Sequence, residues 1–434
     1  MSKQAIQETA VGKEAKGVTR RGFVAGGAAV TAATAAALTL GGCGSSGGAD
    51  EMVQAVKAQF PDASVEYLNV ELSQVKPHVE MNMVESPDYL YESYNFTLPL
   101  GSLLYQSSDD QALVVGPGAS SKALIRLSVV NFVSGQAAPL LGQALGANED
   151  YVIYDARASS AAIIWVECNM VHGLWRVYAT TLENGVATEE HMSQAQLLDE
   201  GEGLYSPPRI AVGGGKVYWT VMPDPNGEAY AEDSYLKAAN FGARRQGSLA
   251  EVVTVYTSHG RMITTPAVSG DILTFVPRVD TDAVFYQLTA LDIKTDTVKN
   301  IAILPPSLRV SDAVWLDDGF AFGIEGNYNY AKGLALFGTY QQLSNGEYLY
   351  INKAPVSAAL QMNGFTYIKS TKSVLGIDVE GDNVVVIDTL KDCVNYGDIM
   401  AGEGKQNRLV IYTTVMSKAG NQTGACTVRV FDHH

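Results

Sequence analysis

The sequence predicts an all-β fold, a β-propeller of seven four-stranded blades, and three observations carry that expectation. The first is the stretch 264–304, TTPAVSGDILTFVPRVDTDAVFYQLTALDIKTDTVKNIAIL. It reads as strands over 267–268, 272–276, 284–291 and 298–303, separated by Ser269-Gly270-Asp271, a polar loop through Asp282, and Lys294-Thr295-Asp296. The second is repetition. A hairpin followed by a longer strand recurs seven times, starting at Ser102, Val152, Pro208, Thr265, Asp312, Ser357 and Asp398. In each copy Gly, Asp, Asn or Ser supplies the tight turn, and flanking apolar or aromatic residues set the register. The third is spacing. The second strands begin near Ala112, Ile163, Val217, Ile272, Phe320, Phe365 and Leu409, at intervals of 51, 54, 55, 48, 45 and 44 residues. Repeats of roughly 40–50 residues mark propeller blades, whereas tandem β-sandwich modules need roughly twice that length. Six blades is the alternative, because the first copy is the weakest.

Taken in order, the chain opens with Thr19-Arg20-Arg21-Gly22-Phe23-Val24, a weakly apolar Ala/Gly/Thr/Val run over 25–40, and Leu40-Gly41-Gly42-Cys43. The run is short and glycine-rich for a membrane span. This order resembles the twin-arginine export signal and lipobox of bacterial lipoproteins. The resemblance implies that Arg20 and Arg21 direct export, that Cys43 becomes acylated, and that the chain is lipid-anchored at the extracytoplasmic side of the cell membrane. Residues 1–43 are therefore read as a signal peptide and 44–63 as a tether with a short helix. The tether starts Gly44-Ser45-Ser46-Gly47-Gly48, and the helix places Met52, Val53, Val56 and Phe60 on one side before Pro61 stops it. Residues 64–434 are the propeller.

The alternating segment 64–72, SVEYLNVEL, precedes the first copy, and the last copy ends in the strand 426–432 with nothing after it to complete a blade. The expectation is that 64–72 supplies the outer strand of the last blade and clasps the ring. This repeat pattern resembles TolB-type and WD-type propellers over about 64–432, without the Trp-Asp dipeptide of true WD repeats. Ala290-Leu291-Asp292-Ile293-Lys294-Thr295 also resembles the repeat of quinoprotein propellers, but the tryptophan that follows there is absent, and no cofactor is expected.

A formal charge of -16, or -19 once 1–43 are set aside, repels phosphate backbones and argues against nucleic acid as a partner. Besides Cys43, three cysteines (Cys168, Cys393 and Cys426) form no CxxC pair, and six scattered histidines form no HxH or HExxH. No metal site is expected. Cys393 and Cys426 fall in neighbouring blades, and two separate core thiols are favoured over a bridge. No GxSxG elbow is present, and Asp109-Asp110 and Asp317-Asp318 read as turn formers.

Binding chemistry is expected on one loop-rich face. A long loop over 222–248 carries Tyr230, Tyr235, Phe241, Arg244 and Arg245, and a second over 325–332 carries Glu325, Tyr328 and Tyr330. Aromatic rings beside Asn and Arg suit sugars or extended peptides. With Arg278 these residues form the candidate ligand-binding set, although packing of each ring against its blade competes with that role. Two functions follow. The favoured one is a non-catalytic binding or scaffolding lipoprotein for a glycan, peptide or protein. The alternative is a glycan lyase or hydrolase working in the central funnel, where Glu167, Arg209, Arg278 and Glu325 would converge.

Overall fold

The computed structural model describes residues 47–117, 125–182, 189–203, 206–223, 232–241, 249–280, 284–306, 308–317, 319–327, 330–352, 358–393, 396–416 and 424–434. Among these residues the strands form seven sheets. Six of them take four consecutive antiparallel strands each: 103–141, 151–202, 210–259, 267–303, 308–351 and 360–387, blades 1 to 6. Blade 7 combines Ile399–Met400, Leu409–Val415 and Ala425–His433 with a strand from the N-terminal side of the chain. The second strands start at Gln111, Ala162, Lys216, Ile272, Gly319, Phe365 and Leu409, each within one residue of the expected position. Turn chemistry explains that agreement. Gly270 (φ 58°) and Asn363 (φ 49°) hold the left-handed backbone that a tight hairpin requires.

The middle strands are buried on both faces, because each blade packs against two others. All eight residues of Ala162–Asn169 and all five of Phe365–Lys369 are buried, so these strands read as continuous rather than alternating apolar runs. One cluster of apolar side chains fills each junction between neighbouring blades. Trp165 joins blade 2 to Leu113 of blade 1, and Trp219 joins blade 3 to Val166 of blade 2. Val410 and Val428 of blade 7 meet Leu104 and Val114 of blade 1. That last junction closes the ring.

Closure differs from the sequence expectation. The chain from 64 to 99 runs along the outer edges of four blades in succession. Strand β1 (Ser64–Tyr67) adds in parallel to Thr297–Ile303 of blade 4, β2 (Val75–Pro77) to Tyr348–Ile351 of blade 5, and β3 (Asn82–Val84) to Asn383–Ile387 of blade 6. Only then does β4 (Leu90–Pro99) pair antiparallel with Ala425–His433 and complete blade 7. The alternation of 64–72 is real, but alternation suits any half-exposed outer strand. Strand β4 lies three residues from the first strand of blade 1, and the clasp belongs to it.

Helix α1 (Gly47–Gln59) buries Met52 and Val56 against Val279, Ile301 and Ile303 of blade 4. Cys168, Cys393 and Cys426 are unbridged, and burial pushes the Cys168 and Cys426 thiols up to about 12. Cys168 and Cys426 act as small core residues, and Cys393 is half-buried.

Candidate functional site

Of the expected binding residues the structure describes Tyr235, Arg278, Glu325 and Tyr330. Arg20, Arg21, Cys43, Tyr230, Arg244, Arg245 and Tyr328 lie outside the described residues. The single loop expected over 222–248 is divided by the strand Asp233–Asn240. Its two parts leave opposite ends of that strand, and Tyr235 sits on the strand itself, 37% exposed. Tyr330 is half-buried against the core between blades 4 and 5, with its backbone held at both N–H and C=O by the Asn327 carboxamide. Glu325 is paired with Arg309 at 2.7 Å. Arg278 is buried, and its backbone N–H donates to Ser258 Oγ at 3.0 Å.

The four funnel residues do not converge. Glu167 is fully buried inside blade 2, where its carboxylate accepts from the N–H groups of Leu145 and Gly146 and from Trp165 Nε1 at 2.7, 2.9 and 3.0 Å. Arg209 donates to the Ile263 carbonyl at 2.6 Å. None of Glu167, Arg209, Arg278 and Glu325 lines the channel cavity.

What the channel does hold is a cavity of about 490 Å³ with a charged cluster drawn from three blades and a crossing loop. Tyr105 comes from the first strand of blade 1. Asp155 and Arg157 come from that of blade 2, and their i, i+2 spacing puts both on one face of the strand. The Arg157 guanidinium pairs with Asp155 and lies 3.6 Å from the centroid of the Tyr105 ring, a cation–π contact. Asp312 lies on the first strand of blade 5 where the register slips twice, between Arg309 and Val310 and between Val310 and Asp312. Such bulges re-aim a side chain. Here the result is an acid on the channel wall, accepting from Ser311 Oγ at 2.6 Å.

Glu403 arrives differently. In blade 7 the link from Ile399–Met400 to Leu409–Val415 does not turn back tightly. Residues 401–408 cross the channel and dock on four blades. Gln106 N–H of blade 1 donates to the Ala401 carbonyl at 2.8 Å, and Gly404 N–H donates to Ala359 O at 2.9 Å. Lys405 N–H reaches Ser269 Oγ of blade 4 at 3.1 Å, and Lys405 Nζ reaches Asp317 of blade 5 at 3.0 Å. Gly404 has φ 64°, and a Cβ there would stand 2.5 Å from the Val268 carbonyl, so only glycine fits this approach. The loop carries the Glu403 carboxylate to the backbone N–H of Val268 and into the field of Arg157.

The electrostatics follow from that crowding. Burial works against the Arg157 charge, yet Asp155, Tyr105 and Glu403 outweigh it and hold the guanidinium above its ordinary value. Burial raises Glu403, against the opposing pull of Arg157 and the Val268 N–H. Asp312 is pushed up to about 7 by burial, with the charges of Glu403 and Glu325 adding and the Ser311 hydroxyl opposing. A carboxyl poised near neutrality can donate or accept a proton, and the cluster as a whole is rich in acceptors. Among the described residues no group of three or more His, Cys, Asp or Glu side chains is arranged to hold a metal ion.

Sequence reasoning passed over Asp155, Arg157, Asp312 and Glu403. The available signal was charge inside the first strand of a hairpin copy, as in VIYDARA and SDAVW, where a wall packed between blades is otherwise apolar.

The Asp312 shift has a measurable sign. Its folded-state pKa lies above the unfolded value near 3.8, so the native protein takes up a proton as pH falls from about 7 toward 4. The ionised group therefore costs stability at high pH, and the cost vanishes at low pH. Asp312→Asn is expected to stabilise the protein at pH 8, on the order of 1–3 kcal/mol after allowing for solvent in the channel, and to change nothing at pH 4. Urea midpoints at the two pH values check this; a gap independent of pH contradicts the assignment.

No protein-family model matches the chain, and no curated protein matches it. Solved structures do resemble it. The polysaccharide lyase Uly1 is 11% identical over 86% of this chain and 96% of its own, with a TM-score of 0.47. A structure from a study of two prolyl endopeptidases is 12% identical over 75% of this chain, with a TM-score of 0.46. This chain spans 45% of that one's length. TolB from Acinetobacter baumannii is 10% identical over 76% of this chain and 81% of its own, with a TM-score of 0.34.

Proposed function

We propose that this is an extracytoplasmic lipoprotein, anchored through Cys43 after export directed by Arg20 and Arg21, whose propeller binds a glycan, peptide or protein partner without transforming it. The observation that carries the binding reading is the channel cavity. It is walled by rigid strands, crossed by a loop fixed to four blades, and lined by polar groups already oriented by one another. Preorganisation of that kind lowers the entropic cost of holding a ligand. Tyr230, Tyr235, Tyr328, Arg244 and Arg245 are the proposed outer contacts. The raised Asp312 favours one second reading, a propeller enzyme using that carboxyl as an acid on glycans.

The test is to probe glycan and peptide arrays with the soluble chain 49–434. At least one ligand is expected to be retained, and Tyr230→Ala, Tyr235→Ala, Arg244→Ala and Arg245→Ala combined are expected to weaken it at least tenfold with the melting temperature unchanged. Equal retention by the quadruple variant removes the outer contacts from the reading, and no retention at all removes the binding function. Cleavage of an arrayed glycan, lost in Asp312→Asn, selects the enzyme instead. In cells, Cys43→Ala is expected to leave the membrane fraction.

A further inference from the structure

Beside the channel, blades 5 to 7 enclose a second concavity of about 680 Å³. Lys405 and Gln406 line both it and the channel cavity, so the two adjoin across the crossing loop. Its chemistry is distinct from that of the channel. Four carboxamides line it: Gln361 and Asn363 from the first hairpin of blade 6, and Gln406 and Asn407 from the crossing loop. The charges that reach it are matched within the protein. Lys405 pairs with Asp317 at 3.0 Å, and Arg408 with Asp432 at 2.8 Å. Tyr91 of β4 stands at its edge, 45% exposed, with the His434 ring 5.2 Å away.

One group is left unmet. Gln361 is 5% exposed, its Nε2 donates to Asp317, and its Oε1 has no partner although it is buried. A buried amide oxygen without a donor costs free energy unless something supplies the hydrogen bond. The groove therefore offers several planar amides, one of them with an unpartnered oxygen, and an exposed ring, while its Lys405 and Arg408 charges are already paired.

We infer that this groove is a subsite for a neutral saccharide chain leading toward the channel. The inference rests on the binding function proposed above and names the ligand class for it. Hydroxyl groups are donors and acceptors at once, which suits carboxamides, and the C–H face of a sugar ring stacks on tyrosine. An anionic ligand would meet the Asp317 and Asp432 carboxylates beside each cation, and a cationic one would meet Lys405 and Arg408 beside each carboxylate. An extended peptide is recognised most readily by a free strand edge, and Leu360–Met362 at the groove is already paired on both sides.

The experiment is titration calorimetry of chain 49–434 with neutral oligosaccharides of glucose, galactose and N-acetylglucosamine, with oligogalacturonate and a glucosamine oligomer alongside. At least one neutral oligosaccharide is expected to bind. Tyr91→Ala is expected to weaken it roughly tenfold, and Tyr91→Trp to restore it. Binding only of the charged oligomers, or neutral binding indifferent to Tyr91→Ala, overturns the inference. Should the arrays retain a peptide while every neutral oligosaccharide fails, the groove assignment falls and the binding function stands. If nothing binds in either experiment, both fall.

Discussion

A chain beginning at Glu85 is expected to fold as a soluble monomer that melts below the full-length protein, whereas a chain beginning at Gly101 is expected not to fold. The two differ essentially by β4. The shorter deletion removes α1, β1, β2 and β3, each of which adds to the outside of a blade already four strands deep. The longer one removes the fourth strand of blade 7. Strand β4 pairs with Ala425–His433 from Ala425–Pro99 to His433–Leu90. It also buries Leu90 in the junction of blades 6 and 7, and Leu98 in that of blades 7 and 1. Two buried leucines contribute about 3–6 kcal/mol, and a ladder of several net hydrogen bonds adds a similar amount. The total is comparable to the roughly 5–15 kcal/mol that separates folded from unfolded domains. The exposed edge of Ala425–His433 would also invite strand pairing between molecules. Size-exclusion chromatography and thermal melts of the two chains check this. A cooperative melt from the chain beginning at Gly101 would show that the blade junctions alone hold the ring.

Local chemistry made the blades legible and left the site hidden. Each hairpin announces itself within about a dozen residues, because a turn such as Ser269-Gly270-Asp271 and its flanking apolar strands are neighbours in the chain. The edges were harder. Segment 64–72 and β4 both alternate, and nothing within either says which blade it joins. That is decided by loop length and by which edge remains open. The strand Asp233–Asn240 escaped notice because Ala238, Ala239 and Asn240 are weak strand formers flanked by Gly- and Pro-rich sequence. Its period-two burial, with Ser234, Leu236 and Ala238 inward, was nevertheless present. The channel cluster was the least accessible. Tyr105, Arg157, Asp312 and Glu403 meet only because the ring brings the first strands of distant blades together, and Glu403 depends on a loop whose path no local pattern fixes.

Arg429→Met is expected to destabilise the protein by about 3–5 kcal/mol. Arg429 lies in the strand Ala425–His433, and Asp398 directly precedes the first strand of blade 7. Their side chains are 8% and 0% exposed, and Arg429 Nη2 donates to Asp398 Oδ2 at 3.0 Å. Burial raises Asp398, while Arg429 and then Lys369 pull it back. Lys369 is itself buried, lowered by that burial, and donates to the Tyr396 carbonyl at 2.7 Å. It cannot fully replace the arginine. Methionine keeps most of the volume, so the loss reads the stranded carboxylate rather than a cavity. Two companion measurements separate these causes. Asp398→Asn added to Arg429→Met is expected to recover much of the loss, because a neutral amide needs no cation. The pH dependence has the same origin. With its folded-state pKa raised further, Asp398 takes up a proton in the native variant as pH falls, so the gap between parent and variant is expected to narrow from pH 8 to pH 5. Chemical denaturation of the parent, the single and the double variant at both pH values decides the matter. A loss that neither Asp398→Asn nor low pH relieves would mean that Arg429 acts through packing of its stem.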